Sequence, residues 1–269
     1  MPDRRQHRGP HPEDLQHFSP QHWPQLLAAV EQLSWLLTRG FATVSSLKLV
    51  GDRYQLCARQ RLAVQRCSCS DQALHDRKQR HVADQNVAGR WLAIDGFNLI
   101  TTAEAALAGG ILLRGRDGCT RDMASMHGSY RKVTDTEPAL RLVADALADL
   151  HPTGCRWLLD RPVSNSGRLR GMIEHLANEL RVPWTCELAN DADHALQQTE
   201  QVVVSADSVV LDHCGPWYNL ASRVADRFCL TRMLVPLDGH HIAAATAQWS
   251  FQVSNSWLWW CSSRPAQSR

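Results

Sequence analysis

The stretch Trp91-Leu-Ala-Ile-Asp-Gly-Phe-Asn98 decides how the rest of the chain is read. A short apolar run ends in Asp95-Gly96, and the same grammar returns downstream. Cys155-Arg-Trp-Leu-Leu159 ends in Asp160. Trp184-Thr-Cys-Glu-Leu188 stands ahead of Asn190-Asp-Ala-Asp-His194, and Gln201-Val-Val-Val-Ser205 runs into Ala206-Asp207. Met233-Leu-Val-Pro236 is a fifth candidate strand. Helical patterns fill the intervals at 137–150, 167–180, 193–198 and 217–228. Apolar runs alternating with helices predict βαβ units and a mainly parallel sheet. Residues 109–133, with Gly109-Gly110 and Asp117-Gly118, suit an inserted hairpin.

Working outward, residues 1–22 are rich in Pro, His and Arg and read as poorly ordered. Residues 23–89 read as a small helical domain. Leu26, Leu27, Val30, Leu33, Leu36 and Leu37 recur at helical spacing, with Gly40 to cap the end. A short helix over 45–50 is expected to break at Gly51-Asp52, and a third covers 58–66. A helix, a Gly turn and an Arg-rich helix are similar to a helix-turn-helix, in which Lys48, Arg53, Arg59, Arg61 and Arg66 would meet phosphates. A plain helical bundle with solvated arginines fits the same letters. Residues 71–89 suit a connecting helix. The α/β domain then spans 90–238. Of the tail, 239–269, residues 242–261 carry no charge but four Trp, and its role stays open.

Charge divides unevenly. Residues 1–90 hold 13 Lys+Arg against 8 Asp+Glu, and the remainder 16 against 19. A basic front and a mildly acidic rear suit a polyanion partner and a domain that gathers cations. The nine Cys are scattered, several within apolar runs, and no Cys-x-x-Cys pair occurs. That pattern predicts buried thiols in a reducing compartment, with neither a disulfide frame nor a zinc site. No stretch has the ~18 apolar residues of a membrane span, and the charged start is unlike a signal peptide. The expectation is a cytoplasmic protein.

In an open parallel sheet, ligands bind beyond the carboxyl ends of the strands. Asp95, Asp160 and Asp207 each stand at such an end, and Asp193 opens the helix after the third strand. If those strands are neighbours, the carboxylates converge. They then call for a cation or for a proton on one of them. Oxygen ligands favour Mg2+ or Mn2+ over zinc. Each Asp, taken alone, also suits an ordinary helix N-cap. Asn98 adds a donor and an acceptor, Ser205 a hydroxyl, and Asp212 a further acid. In Asp160-Arg-Pro-Val-Ser-Asn-Ser-Gly167, Arg161, Ser164 and Asn165 offer an anion site at a helix start. His127, in the excursion after strand one, is a candidate for proton transfer.

Asp95-Gly-Phe-Asn98, Leu159-Asp160, Asp191-Ala-Asp193 and Val204-Ser-Ala-Asp207 resemble the four acidic stations of PIN-like nucleases, the NYN branch above all. Phe97 stands where that branch has Tyr, and Ser205-Ala where it has Thr-Ser. The resemblance covers residues 91–212. It implies a PIN-like or Rossmann-like three-layer α/β domain and Mg2+- or Mn2+-dependent cleavage of nucleic acid, RNA before DNA. Asp95, Asp160, Asp193 and Asp207 would serve as metal ligands and catalytic groups. Residues 8–238 also resemble an uncharacterised bacterial and archaeal family, catalogued as domain of unknown function four-three-four. The matching segments are Ser46-Leu-Lys-Leu-Val-Gly-Asp-Arg53, Arg59-Gln-Arg61, 122–130 and 159–167. That family implies no activity.

Two alternatives stay open. One is a module of the same fold that binds nucleic acid or nucleotide without cleaving it. The other is a phosphotransferase on a Rossmann-like sheet. Asp95 is followed by Gly96-Phe97, not by an Asp-x-Asp pair, which argues against an aspartyl-phosphate route. No Gly-x-Gly-x-x-Gly or Walker loop is present. Oligomeric state stays open as well.

Overall fold

The structure, a computed structural model, describes residues 9–123, 133–228, 230 and 233–239. The chain opens with α1 (Asp14–His17), α2 (Trp23–Thr38), α3 (Thr43–Arg53), α4 (Ala58–Cys67) and α5 (Asp71–Arg80). The α/β part follows as β1 (Trp91–Asp95), α6 (Gly96–Leu107), a hairpin of β2 (Leu112–Arg114) and β3 (Thr120–Asp122), and α7 (Thr136–Leu150). Next come β4 (Gly154–Asp160), α8 (Ser166–Leu180), β5 (Trp184–Ala189), α9 (Ala192–Gln197) and β6 (Val202–Val204). The last elements are α10 (Ser208–His213), α11 (Leu220–Arg227) and β7 (Leu234–Pro236).

The main sheet has the order β5-β4-β1-β6 and is parallel throughout. Period-two alternation sends its side chains into two cores. Leu92, Ile94, Cys155, Trp157, Leu159, Val202 and Val204 pack with α6, α7, α8 and α11. Ala93, Leu158 and Val203 pack on the other face with α9 and α10. This is the expected α/β three-layer domain with a mainly parallel sheet. The chain steps from β1 to β4 to β5 and then crosses to β6 on the far side of β1. The order reverses at β1, which puts the topological switch point, the usual place for a ligand crevice in such sheets, at the carboxyl ends of β1 and β6.

The segment 233–236 does not extend the main sheet as expected. It pairs parallel with β2 in a second sheet, β3-β2-β7. The expected hairpin supplies its other pair, β2 against β3, turning at Gly118 with φ +80°. Ile111, Leu113, Met123, Val235 and Leu237 lie in one core with Phe18, Trp23, Leu26, Leu33 and Val64. Leu112 faces the opposite way, onto Ala105, Ala106 and Ala225. The second sheet therefore joins the helical layer to the α/β domain.

Two local expectations change. Residues 9–22 are ordered where described: Asp14 and Phe18 are fully buried, and Asp14 pairs with Arg59. Gly51 does not break α3, which continues to Arg53 and turns at Gln55, φ +50°. The Arg61 guanidinium lies over Gly51, where a Cβ would sit 2.3 Å from Nη1.

Gly96 follows a similar logic. It opens α6 without a positive φ, and a Cβ there would meet Leu159 Cδ2 at 2.5 Å and Leu158 O at 3.2 Å. Close approach of helix to strand explains this glycine, rather than the tight turn its position suggests. Gly96→Ala is expected to destabilise the protein by about 1–3 kcal/mol, the range for overpacking a core. Urea denaturation checks it, and an unchanged midpoint would show that α6 can shift freely. Among the described residues no helix is long and apolar enough to cross a membrane. The described cysteines are unpaired, and all but Cys57 are buried, as expected.

Candidate active site at the carboxyl edge of the sheet

A cleft of about 740 Å³ opens at the switch point between β1 and β6. Asp95, Asp160, Asp193, Asp207 and Asp212 line one wall, with Asn98 and Phe97 at the start of α6. The helical layer forms the opposite wall through Leu62, Gln65, Arg66, Ser70, Ala73 and Arg77. Asp122, Thr101 and Thr102 close the end.

Each acid is placed by local structure. Asp95 is the N-cap of α6, its Oδ1 accepting from the Asn98 N–H at 3.3 Å. Its Oδ2 accepts from the Ser205 hydroxyl at 2.7 Å. The same Ser205 oxygen accepts from the Asp207 N–H at 3.0 Å, so one hydroxyl ties two acidic stations together. Asp207 caps α10 through Oδ1, which accepts from Val209 N–H at 2.7 Å and Val210 N–H at 3.4 Å. Asp160 Oδ1 accepts from Ala192 N–H at 3.0 Å, which brings β4 to the start of α9. Asp191 caps α9, which leaves Asp193 in the first turn, facing the cleft. Asn98 Oδ1 accepts from Ala206 N–H at 3.0 Å, so its amide N–H groups are donors at the cleft wall.

The carboxylates feel one another. Asp95, only 8% exposed, is pushed up to about 7 by burial and by Asp193 and Asp207, against its bonds from Ser205 and Asn98. Asp193 is pushed up to about 6 by burial and by Asp207, Asp160 and Asp191. Among the described residues, no three His, Cys, Asp or Glu are grouped closely enough to hold a metal ion by themselves. The donors are hard oxygens, and they suit a cation held by one or two carboxylates. Water and substrate phosphate would complete its shell, the usual Mg2+ arrangement.

Beside the acids lies a buried ionic cluster that sequence reasoning missed. Arg77, on α5, donates from Nη1 to Asp117 Oδ2 at 2.5 Å and from Nη2 to Asp212 Oδ1 at 2.6 Å. Arg121 donates to both Asp117 oxygens, at 2.8 and 2.6 Å, and to Ala206 O at 2.7 Å. Against the cost of burial, Arg121 and then Arg77 hold the Asp117 carboxyl well below the usual carboxylate range. The cluster links the helical layer, the β2–β3 hairpin and the turn after β6. Asp212, expected to bind substrate, is one member of it. Arg121 and Asp117 are four residues apart, but Arg77 stands 40 residues from Asp117 and 135 from Asp212, so no local pattern marks the cluster as a whole.

Other expected contacts do not reach the cleft. Arg59 pairs with Asp14, and Arg61 with Asp52 and the carbonyls of Leu56 and Lys48. Lys48 pairs with Asp52, and Arg53 lies over the Tyr54 ring. These four side chains make contacts within the helical layer and none of them lines the cleft; Arg66, from the same helix as Arg59 and Arg61, does. Arg161 donates to Leu188 O, and Ser164 and Asn165 are exposed on the β4–α8 loop, away from the cleft. Asn165 takes φ +67° there, so the loop is shaped for the chain turn. His127 and the Trp-rich segment 242–261 lie outside the described residues.

The family described as a domain of unknown function (DUF5616) matches residues 84–223. The family described as a protein of unknown function (DUF434) matches residues 25–80. The resemblance read across the chain thus divides in two, at the connection between α5 and β1. An uncharacterized protein of Methanocaldococcus jannaschii is 26% identical over 183 residues, 68% of this chain and 87% of that protein. No solved structure matches.

Proposed function

The chain belongs to the family described as a domain of unknown function (DUF5616), which lends it no activity, and from the cleft we propose that the protein is a divalent-cation-dependent phosphodiesterase acting on nucleic acid, RNA before DNA. One observation carries this reading: three strand-end acids, Asp95, Asp160 and Asp207, share one cleft at the topological switch point with Asp193 from the start of α9, where burial and then the neighbouring carboxylates raise Asp95 and Asp193. Stable folds rarely gather like charges without a use for them. The resemblance of the four acidic stations to NYN-type nucleases supports the choice of reaction and of RNA.

In this reading Asp160, Asp193 and Asp207 present carboxylate oxygens to the cleft, and Asp95 stands behind them, oriented by Ser205. Asn98 donates to a substrate oxygen. A bound Mg2+ or Mn2+ supplies charge stabilisation at the phosphodiester and a more acidic water. The acidic wall repels phosphate until that cation is present, so substrate and cation bind together. The alternative, binding without cleavage, draws on the absence of a three-acid metal group among the described residues.

The test is a panel of labelled single- and double-stranded RNA and DNA with manganese or magnesium, the parent beside an Asp95→Asn/Asp207→Asn double variant. Cleavage by the parent is expected to fall about 10²–10⁴-fold in the variant, the range for losing positioned catalytic groups. A parent that binds the panel and cleaves none of it belongs to the alternative. Equal cleavage by both proteins places the chemistry elsewhere.

A further inference from the structure

The arginines of α5 fill the space between that helix and α10. Arg80 donates to the carbonyls of Leu211 and Cys214, and Arg77 donates to Asp212 and to the Ser208 carbonyl. Later residues of α5 meet later residues of α10, so the two helices run side by side in the same direction. One turn before Arg77 stands Ala73, whose side chain is too short to bridge the gap. One turn before Asp212 stands Val209, 57% exposed. Both line the cleft. There a small apolar pair takes the place of the salt bridge, and a slot is left open between the two walls.

The groups around the slot are apolar or neutral. Leu37 and Leu62 add apolar surface to the helical wall, and each rests on the core beneath it. Gln65, one turn after Leu62 on α4, lines the same cleft and is exposed. Its amide bonds none of the described residues, so it offers both a donor and an acceptor. Ser70 accepts from the Ala73 N–H at 3.1 Å, which leaves its own O–H to donate. Such a wall suits a flat apolar body with a polar edge. A nucleobase has that form, with ring faces for Ala73 and Val209 and edge atoms for Gln65 and Ser70. Asp207, two residues before Val209, keeps the acidic edge beside the slot, where a phosphate joined to that base through ribose belongs. The cleft of about 740 Å³ lies within the range of roughly 300–1,000 Å³ for sites that enclose a small organic ligand.

We propose that the slot between Ala73 and Val209, edged by Gln65 and Ser70, seats a nucleobase of the substrate, so that the helical layer reads the base while the acidic edge holds its phosphate. The seat rests on the nucleic-acid reading of the substrate, and it does not require cleavage.

Binding is followed by calorimetry with magnesium, using the four ribonucleoside 5′-monophosphates beside ribose 5-phosphate, which lacks the base. Cleavage of the labelled RNA panel is followed separately. The nucleotides are expected to bind about ten- to a hundred-fold more tightly than ribose 5-phosphate, the yield of taking one ring out of water. Ala73→Leu fills the slot and should erase that advantage while leaving ribose 5-phosphate where it was. Gln65→Ala should level the ranking among the four bases. Should Ala73→Leu not fold, Val209→Ser is read in its place, since it changes an exposed side chain, and the advantage should shrink at least three-fold. Equal binding of nucleotides and ribose 5-phosphate by the parent, no binding of either, or a base advantage that survives the slot variants overturns the seat. Slot-dependent nucleotide binding by a parent that cleaves nothing upholds it and removes the phosphodiesterase reading. RNA cleavage by a parent without the base advantage does the reverse.

Discussion

Asp95→Asn is expected to make the protein more stable at pH 8 while removing the proposed phosphodiesterase activity. The folded Asp95 carboxyl is pushed up to about 7, by burial first and then by Asp193 and Asp207. In the unfolded chain an Asp titrates near 3.9. Between these values the folded state keeps a proton that the unfolded state has released. The stability linked to Asp95 is therefore fully present below about pH 4 and is lost as pH rises through about 7. An amide cannot ionise, and Asn is as good a helix N-cap as Asp. The variant should gain roughly 1–3 kcal/mol at pH 8, a rise in Tm of about 2–10 °C for a chain of this size. At pH 4 the gain should vanish. Mg2+ or Mn2+ should raise the Tm of the parent more than that of the variant, which keeps Asp160, Asp193 and Asp207 but lacks the charge behind them, since a ligand stabilises by what it binds. A plain capping role predicts equal Tm values at both pH values, and that result would remove the case for a functional cluster.

Asp117→Ala is expected to have the largest destabilising effect in the molecule. The carboxylate is 2% exposed and sits between Arg77 and Arg121, which are buried as well. Its loss leaves two buried guanidinium groups without their shared anion. Breaking one side of a buried pair typically costs about 3–5 kcal/mol, because the remaining charge stays desolvated. The pairs join α5, the hairpin and α10, so the helical layer should loosen from the α/β domain as stability falls. Faster proteolysis in the connection after Arg80, together with the urea midpoint, reads both effects. A variant within about 2 °C of the parent would show that the cluster is dispensable. Asp117 also predicts the acid limit. Its folded carboxyl is held below the unfolded value, so its contribution is present above about pH 4 and is lost as pH falls further.

These two aspartates differ in how visible they are in the sequence. Asp95 is legible because its role follows from position. A short apolar run is a strand, successive parallel strands run the same way, and their carboxyl ends share one edge whatever the pairing order. Asp160 and Asp207 follow from the same rule, and Asp193 from the helix that begins beside them. Period alone therefore specified the three-layer α/β part, the helical front and the acidic edge. Sheet order was needed to make β4, β1 and β6 neighbours, and only then do burial and the surrounding acids raise Asp95 and Asp193.

Asp117 carries no such mark. It sits in a Gly-rich turn, and its partners lie on α5 and β3. An arginine reads alike whether it is solvated, paired within its own layer as Arg59 and Arg61 are, or turned toward a cleft as Arg66 is. The pairing of β2 with β7 is equally long-range, and it moved the last strand out of the main sheet. Local periodicity reports what each segment must bury. Which distant charge or strand it meets is settled by tertiary packing, where desolvation makes one partner far cheaper than the rest. The sequence by itself determined the fold class and the acidic edge, and only the tertiary structure decided the opposite wall and the cations that face it.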